Sequence, residues 1–244
     1  MSLSRPRGLL FDFGGTLVEE VAYDPRAGLE ALLAVASVRR ADLRFDDVLA
    51  RAKRVTEETV DRRNRFQIET PWVSLNRLIH DFFGTRFAQS PADLELVFWN
   101  ASVTTRGIPG VREALERFHR GGLPMGVVSN TSFGQHVIRH ELAKHGLAEH
   151  LAFVVASAEY VVRKPNPLLF ETAAALLGVP PSDVWFVGDS FDLDIIGARA
   201  AGMTSVWFAP TTAEQRHGAD LLIGSWAALE ANVDRAMTEF GGTE

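Results

Sequence analysis

The chain has 244 residues, 46% hydrophobic and 23% charged, with a formal net charge of −6; this is the composition of a globular protein with room for one large domain, or a core and a smaller one. The acidic balance argues against a general nucleic-acid binder, and the lack of cysteine excludes disulfides, zinc–thiolate sites and thiol catalysis while fitting a reducing, cytoplasmic setting. No apolar run approaches the roughly 18 residues that span a membrane, and the stretch after Arg5 and Arg7 stops at Asp12, too soon for a signal peptide.

The first predicted element is the apolar run Leu9-Leu10-Phe11, a buried strand that delivers Asp12 to the bare loop Phe13-Gly14-Gly15-Thr16-Leu17. Only helical patterns follow over 19–104. After a helix at 27–36, Phe45, Val48, Leu49, Ala52 and Val55 form one apolar stripe. Thr70-Pro71 opens a second with Trp72, Leu75, Ile79, Phe82 and Phe83 inward, and Ser90-Pro91 opens a third with Leu94, Val97 and Phe98 inward. These make a small bundle that ends at Gly107-Ile108-Pro109-Gly110. Inserted after the first strand, it is expected to sit over the strand's carboxyl end as a lid. Arg62, Arg63 and Arg65 read as a solvated helix face, with an anion contact as the alternative.

From there the texture alternates. Pro124-Met125-Gly126-Val127-Val128 reads as a strand, 133–145 as a helix and Ala152-Phe153-Val154-Val155-Ala156 as a strand. Asn166-Pro167 starts a helix that Gly178 stops. Val184-Trp185-Phe186-Val187 is a strand, 194–201 a helix, Thr204-Ser205-Val206-Trp207-Phe208 a strand and Asp220-Leu221-Leu222-Ile223 a short edge strand, before a last helix from Ser225. Continuous apolar strands alternating with helices predict a doubly wound, mostly parallel α/β core, 1–18 plus 105–244, with an α-helical cap domain, 19–104.

Chemistry-bearing residues fall where predicted strands end. Asp12 and Thr16 follow the first strand, Ser129-Asn130 the second, Lys164 precedes Pro165 and a helix, and Gly188-Asp189-Ser190 follow 184–187, with Asp194 five residues beyond Asp189. His136, His140 and His145 lack a metalloprotease-type Glu and read as exposed or capping. Trp72 and Trp99 read as packing residues, with lining of a substrate pocket as the alternative.

The strings Asp12-Phe13-Gly14-Gly15-Thr16-Leu17, Val127-Val128-Ser129-Asn130, Arg163-Lys164-Pro165 and Val187-Gly188-Asp189-Ser190-Phe191-Asp192-Leu193-Asp194 resemble, in this order, the four motifs of the haloacid dehalogenase-like (HAD) hydrolase superfamily. The likeness is to its phosphatase-type branch with an inserted helical cap. The resemblance implies a Rossmann-like core, a small phosphorylated metabolite as substrate, no nucleic-acid or membrane partner, and a monomer or homodimer. It implies Asp12 as a nucleophile that forms an aspartyl-phosphate, and Lys164 as a catalytic group that offsets charge. Ser129, Asn130 and Lys164 would bind the phosphate. Asp12, the Gly14 backbone oxygen, Asp189 and Asp194 would hold Mg²⁺, a hard ion suited to oxygen ligands.

Gly14 departs from the pattern, which usually has a second Asp there. In the family's phosphatases that Asp protonates the leaving group, and such a positioned acid contributes about 10²–10⁴ in rate. Glu19, Glu20, a carboxylate from the cap or a bound water could replace it, or the substrate could have a good leaving group. The alternatives are a degenerate member that acts as a binding protein, and a dehalogenase, whose halide leaves without a proton.

Overall fold

The run before Asp12 is a strand, β1 (Gly8–Phe11), whose Leu9, Leu10 and Phe11 are wholly buried. The computed structural model describes residues 3–209 and 218–239; the expected core's ends at 1–2 and 240–244, and its stretch 210–217, lie outside the described residues. The elements after β1 are, in chain order, β2 (Val18–Tyr23), α1 (Pro25–Ala34), β3 (Ala36–Val38), α2 (Phe45–Phe66), α3 (Trp72–Phe82), β4 (Arg86–Phe87), α4 (Pro91–Ser102), β5 (Val103–Gly107), α5 (Val111–Arg120), β6 (Met125–Ser129), α6 (Gln135–Lys144), β7 (Phe153–Ala156), α7 (Ser157–Tyr160), α8 (Pro167–Leu177), β8 (Val184–Gly188), α9 (Ile196–Ala200), β9 (Thr204–Phe208), β10 (Leu221–Ile223) and α10 (Trp226–Glu239).

Six strands form one parallel sheet in the order β10-β9-β8-β1-β6-β7. Successive strand residues point to opposite faces. Leu9 and Phe11 therefore enter one apolar layer with residues of α5, α6 and α10, among them Leu115, Val137 and Trp226. Leu10 enters the other, with Phe170 and Ala173 of α8 and Ala198 of α9. Burying such side chains contributes about 1.5–3 kcal/mol each. The chain leaves β1 toward β6 on one side and returns to β8 on the other, so the loops after β1 and β8 diverge. An open parallel sheet holds ligands at such a switch point.

The helices of 19–104 form where local signals place them. Ser90 and Asp93 make a reciprocal capping box at α4, with Pro91 in the first turn. The apolar layer under α5, α6 and α10 runs without a break into these helices, through Leu29, Val48, Trp72 and Phe98. Three expectations are corrected. This segment is not purely helical: β2 pairs antiparallel with β5, and β3 with β4. The chain enters and leaves the helical segment along one path, and pairing satisfies the backbone groups of both passes. The helix expected at 27–36 is α1, begun two residues earlier because Asp24 caps Arg26 and Ala27. Phe82 points out, 64% exposed, beneath the Arg51 guanidinium, while Phe83 after the helix end takes the inward place. Among the described residues no helix is long and apolar enough to cross a membrane.

Candidate active site

Asp12 follows β1 and Asp189 follows β8, so adjacent parallel strands bring two carboxylates to one sheet edge. After Asp189 the chain makes one wide turn at Phe191–Ile195 before α9. The turn puts Asp194 back over the strand end, where its carboxylate accepts from the Ser190 N–H at 3.0 Å. Carboxylate oxygens of Asp12, Asp189 and Asp194 lie within 4.8 Å of one another. Lys164 reaches this cluster from the opposite side. Its Nζ lies 2.5 Å from Asp12 Oδ1 and 2.7 Å from Asp194 Oδ1, and donates to the Val128 carbonyl at 3.0 Å.

The ammonium and two of the carboxylates are almost wholly buried; Lys164 is 2% exposed and Asp194 1%. Burial pushes the Asp12 carboxyl above its ordinary range, against the pull of Lys164. Burial likewise raises Asp194 to about 6, with Lys164 opposing. Asp189 is raised by burial and by the neighbouring Asp194 charge. For Lys164, burial alone would favour the neutral amine, but Asp12 and Asp194 outweigh it and its pKa rises. One cation among three carboxylates leaves a surplus of negative charge. Oxygen donors this close, and under-neutralised, are what a hard divalent cation would relieve.

Asn130 does something the sequence did not disclose. Its Oδ1 accepts from the Lys164 backbone N–H at 2.8 Å, and its Nδ2 donates to the Lys164 carbonyl at 3.0 Å. The side chain thus clamps the main chain of Lys164, next to a cis Lys164–Pro165 bond. Ser129, 4% exposed at the end of β6, and Asn130 both line the cavity above Asp12. Gly15 has φ 77°, and the Asp189 carboxylate packs on its Cα, where a Cβ would collide. Gly14 differs: its φ lies outside the left-handed region and a Cβ there would meet nothing within 4 Å.

The cavity has a volume of about 580 Å³ and is shared between the sheet edge and the helical segment. Trp72, Phe98, Trp99 and Phe133 form its aromatic wall, with Trp72 and Trp99 ring centroids 5.8 and 5.0 Å from that of Phe133. Both tryptophans are buried, so each packs and lines the cavity at once. The histidines reach across rather than out. His136 Nε2 lies 3.3 Å from Glu95 Oε2, His140 Nε2 3.0 Å from Asn100 Oδ1, and His145 Nε2 2.7 Å from Thr105 Oγ1.

A buried carboxylate that no periodicity marks, Glu69, ties the helical segment to the sheet. It accepts from Ser132 Oγ at 3.0 Å, from Ser157 Oγ at 2.8 Å and from the Arg163 guanidinium. Backbone bonds flank it, from Arg163 N–H to the Gln67 carbonyl and from Trp72 N–H to the Ser132 carbonyl. They hold a turn in which Val161 adopts φ 68°, a costly conformation for a β-branched residue. Removing one partner of a buried ion pair typically costs about 3–5 kcal/mol. Glu69→Ala is therefore expected to lower unfolding stability by about that amount in urea titrations. A Glu69→Ala/Arg163→Met double variant should lose less than the two single losses added, because the single variants each strand a buried group.

A family model described as haloacid dehalogenase-like hydrolase matches residues 6–202. Over 206 residues the chain is 28% identical to a phosphoglycolate phosphatase of Pectobacterium atrosepticum, covering 84% of this chain and 80% of that one. Over 99 residues it is 35% identical to a phosphoserine phosphatase of Thermus thermophilus, covering 41% of this chain but only 39% of that protein's length. Its fold is similar to that of a 2-haloacid dehalogenase from Pseudomonas syringae pv. tomato, with a TM-score of 0.60 over 96% of this chain and 99% of that one, at 18% identity; this likeness concerns the fold alone. With the four motifs gathered at one sheet edge and the family pattern running from residue 6 to residue 202, the chain belongs to the haloacid dehalogenase-like hydrolases.

Proposed function

We propose that this chain is a Mg²⁺-dependent phosphatase of small phosphomonoesters, with residues 19–104 acting as its cap domain and the cytoplasm as its setting. The observation that carries the reading is Lys164, whose ammonium bridges Asp12 and Asp194 at the switch point while Asp189 completes an acidic cluster. Asp12 is the nucleophile. Its carboxylate oxygen attacks phosphorus, the bond from phosphorus to the alcohol oxygen breaks, and the alcohol leaves with a proton drawn from water or from Glu20, which lines the cavity. Water then attacks the aspartyl-phosphate and releases inorganic phosphate and the carboxylate. Lys164 keeps Asp12 ionised and oriented and offsets charge as two anions meet. Ser129 offers its hydroxyl to a phosphate oxygen, and Asn130 acts chiefly by fixing Lys164. Asp12, the Gly14 carbonyl, Asp189 and Asp194 would hold Mg²⁺, which when bound neutralises charge on the transferring phosphoryl group.

Gly14 favours one competing reading, carbon–halogen cleavage, because a halide leaves without a proton. Against it, the surplus of buried carboxylates calls for a cation that an alkyl halide does not need. A panel of phosphomonoesters and 2-haloacids separates the two. Phosphate release that falls to background after chelation and returns with Mg²⁺ is the expected result, with no halide release. Halide release without metal dependence would establish the dehalogenase, and tight binding without turnover would mark a binding protein.

A further inference from the structure

The basic run at the end of α2 divides in the fold. Arg62 and Arg65 are exposed, but Arg63 between them is half-buried and lines the cavity that holds Asp12. Its Nε is buried and finds no hydrogen-bond partner among the described residues. A charged donor left this way is costly unless something else supplies the acceptor. The guanidinium beside it, that of Arg163, is already matched by Glu69, and its proton affinity is lowered by burial and by the like charge of Arg63. Lys164, the cavity's other cation, is committed to Asp12 and Asp194. The cavity that Arg63 shares with the acidic cluster is also lined by apolar side chains, among them Trp72, Leu75 and Phe98.

We propose that Arg63 receives a second anionic group of the substrate, a carboxylate or a second phosphate, in the same cavity where the phosphoryl group meets Asp12. This rests on the phosphomonoester reading and narrows it to substrates that carry two anionic groups. The acidic cluster repels the second anion while Arg63 attracts it, so the pair also sets which end of the molecule reaches Asp12. The aromatic side chains that line the same cavity lower the local dielectric and strengthen the ion pair.

The test is a series of straight-chain alkyl phosphates, each matched in length with its ω-carboxylate and its bisphosphate. In the wild-type protein the best doubly charged member should exceed its alkyl partner in kcat/KM by about 10–100-fold, the usual worth of a charge-assisted hydrogen bond, with most of the difference in KM. Arg63→Gln should erase that ratio and Arg63→Lys should keep part of it, with melting curves recorded beside the kinetics. Equal rates across the wild-type pairs overturn the proposal whatever the variants do, and so does a preference that survives Arg63→Gln. Should Arg63→Gln fail to fold, the wild-type ratio and Arg63→Lys decide. Hydrolysis of alkyl phosphates with no preference removes this inference alone, whereas no hydrolysis of any member removes the phosphomonoester reading and this inference with it.

Discussion

An Asp12→Asn protein should fold normally and release no phosphate above background, a loss on the order of 10⁴ or more, as expected when the nucleophile of a covalent mechanism is removed. The amide is nearly isosteric with the carboxylate, so the loop after β1 has no packing reason to move. The Lys164 ammonium, 2.5 Å from Asp12, loses one carboxylate but keeps Asp194 at 2.7 Å and the Val128 carbonyl at 3.0 Å. Lys164 therefore remains paired, and the variant avoids the penalty of an isolated buried charge. An amide cannot form the acyl phosphate, while its Oδ1 can still accept from the Lys164 ammonium in place of the carboxylate oxygen. Urea unfolding beside the phosphate assay distinguishes lost chemistry from lost structure. Substantial residual turnover in a well-folded variant would point to direct attack by water, with Asp12 in an electrostatic part only.

Much of this site was legible because its signals are local. An apolar run ending in Asp12, a Val-Trp-Phe-Val run ending before Gly188-Asp189, and Asn166-Pro167 opening a helix each depend on a few consecutive residues, and each lies where expected. What was not legible depends on contacts distant in sequence. Nothing in the run from Val18 to Tyr23 alternates usefully, since only Val18 is buried, so its pairing with β5 shows only once both passes of the chain are side by side. Glu69 sits between helices with no pattern around it, yet its partners come from 63, 88 and 94 residues away. The Asn130 side chain reads as a ligand at a strand end, but 34 residues later the chain returns Lys164 to it. Which of Arg62, Arg63 and Arg65 faces the cavity is set by the rotation of α2 against the sheet edge, and composition carries no record of that.

Gly14→Asp should speed hydrolysis of alkyl phosphates by up to about 10²–10⁴, the range of a positioned general acid, and should matter much less for aryl phosphates. The reason is the leaving group: an alkoxide needs a proton as the phosphorus–oxygen bond breaks, whereas an acidic phenol leaves nearly unaided. The backbone permits the change. Gly14 is not in the left-handed region, a Cβ there meets nothing within 4 Å, and the residue is exposed on the cavity wall two positions after Asp12. Gly15→Asp is the negative control, since φ 77° and the Asp189 carboxylate on its Cα forbid a side chain. A fourth acid beside Asp12, Asp189 and Asp194 adds repulsion, so the variant's melting temperature should depend more steeply on Mg²⁺ than the wild type's. Of the two glutamates able to replace the missing acid, Glu19 is held by Arg106 at 2.5 Å on the outside of the ribbon, while Glu20 lines the cavity. Glu20→Gln therefore completes the experiment. If Glu20 already supplies the proton, Glu20→Gln slows alkyl phosphates, Gly14→Asp adds little, and the double variant recovers the lost rate. If no group supplies it, Glu20→Gln is silent and Gly14→Asp gives its full gain. A well-folded Gly14→Asp protein with unchanged rates on both substrate classes, together with a silent Glu20→Gln, would show that proton delivery does not limit this site.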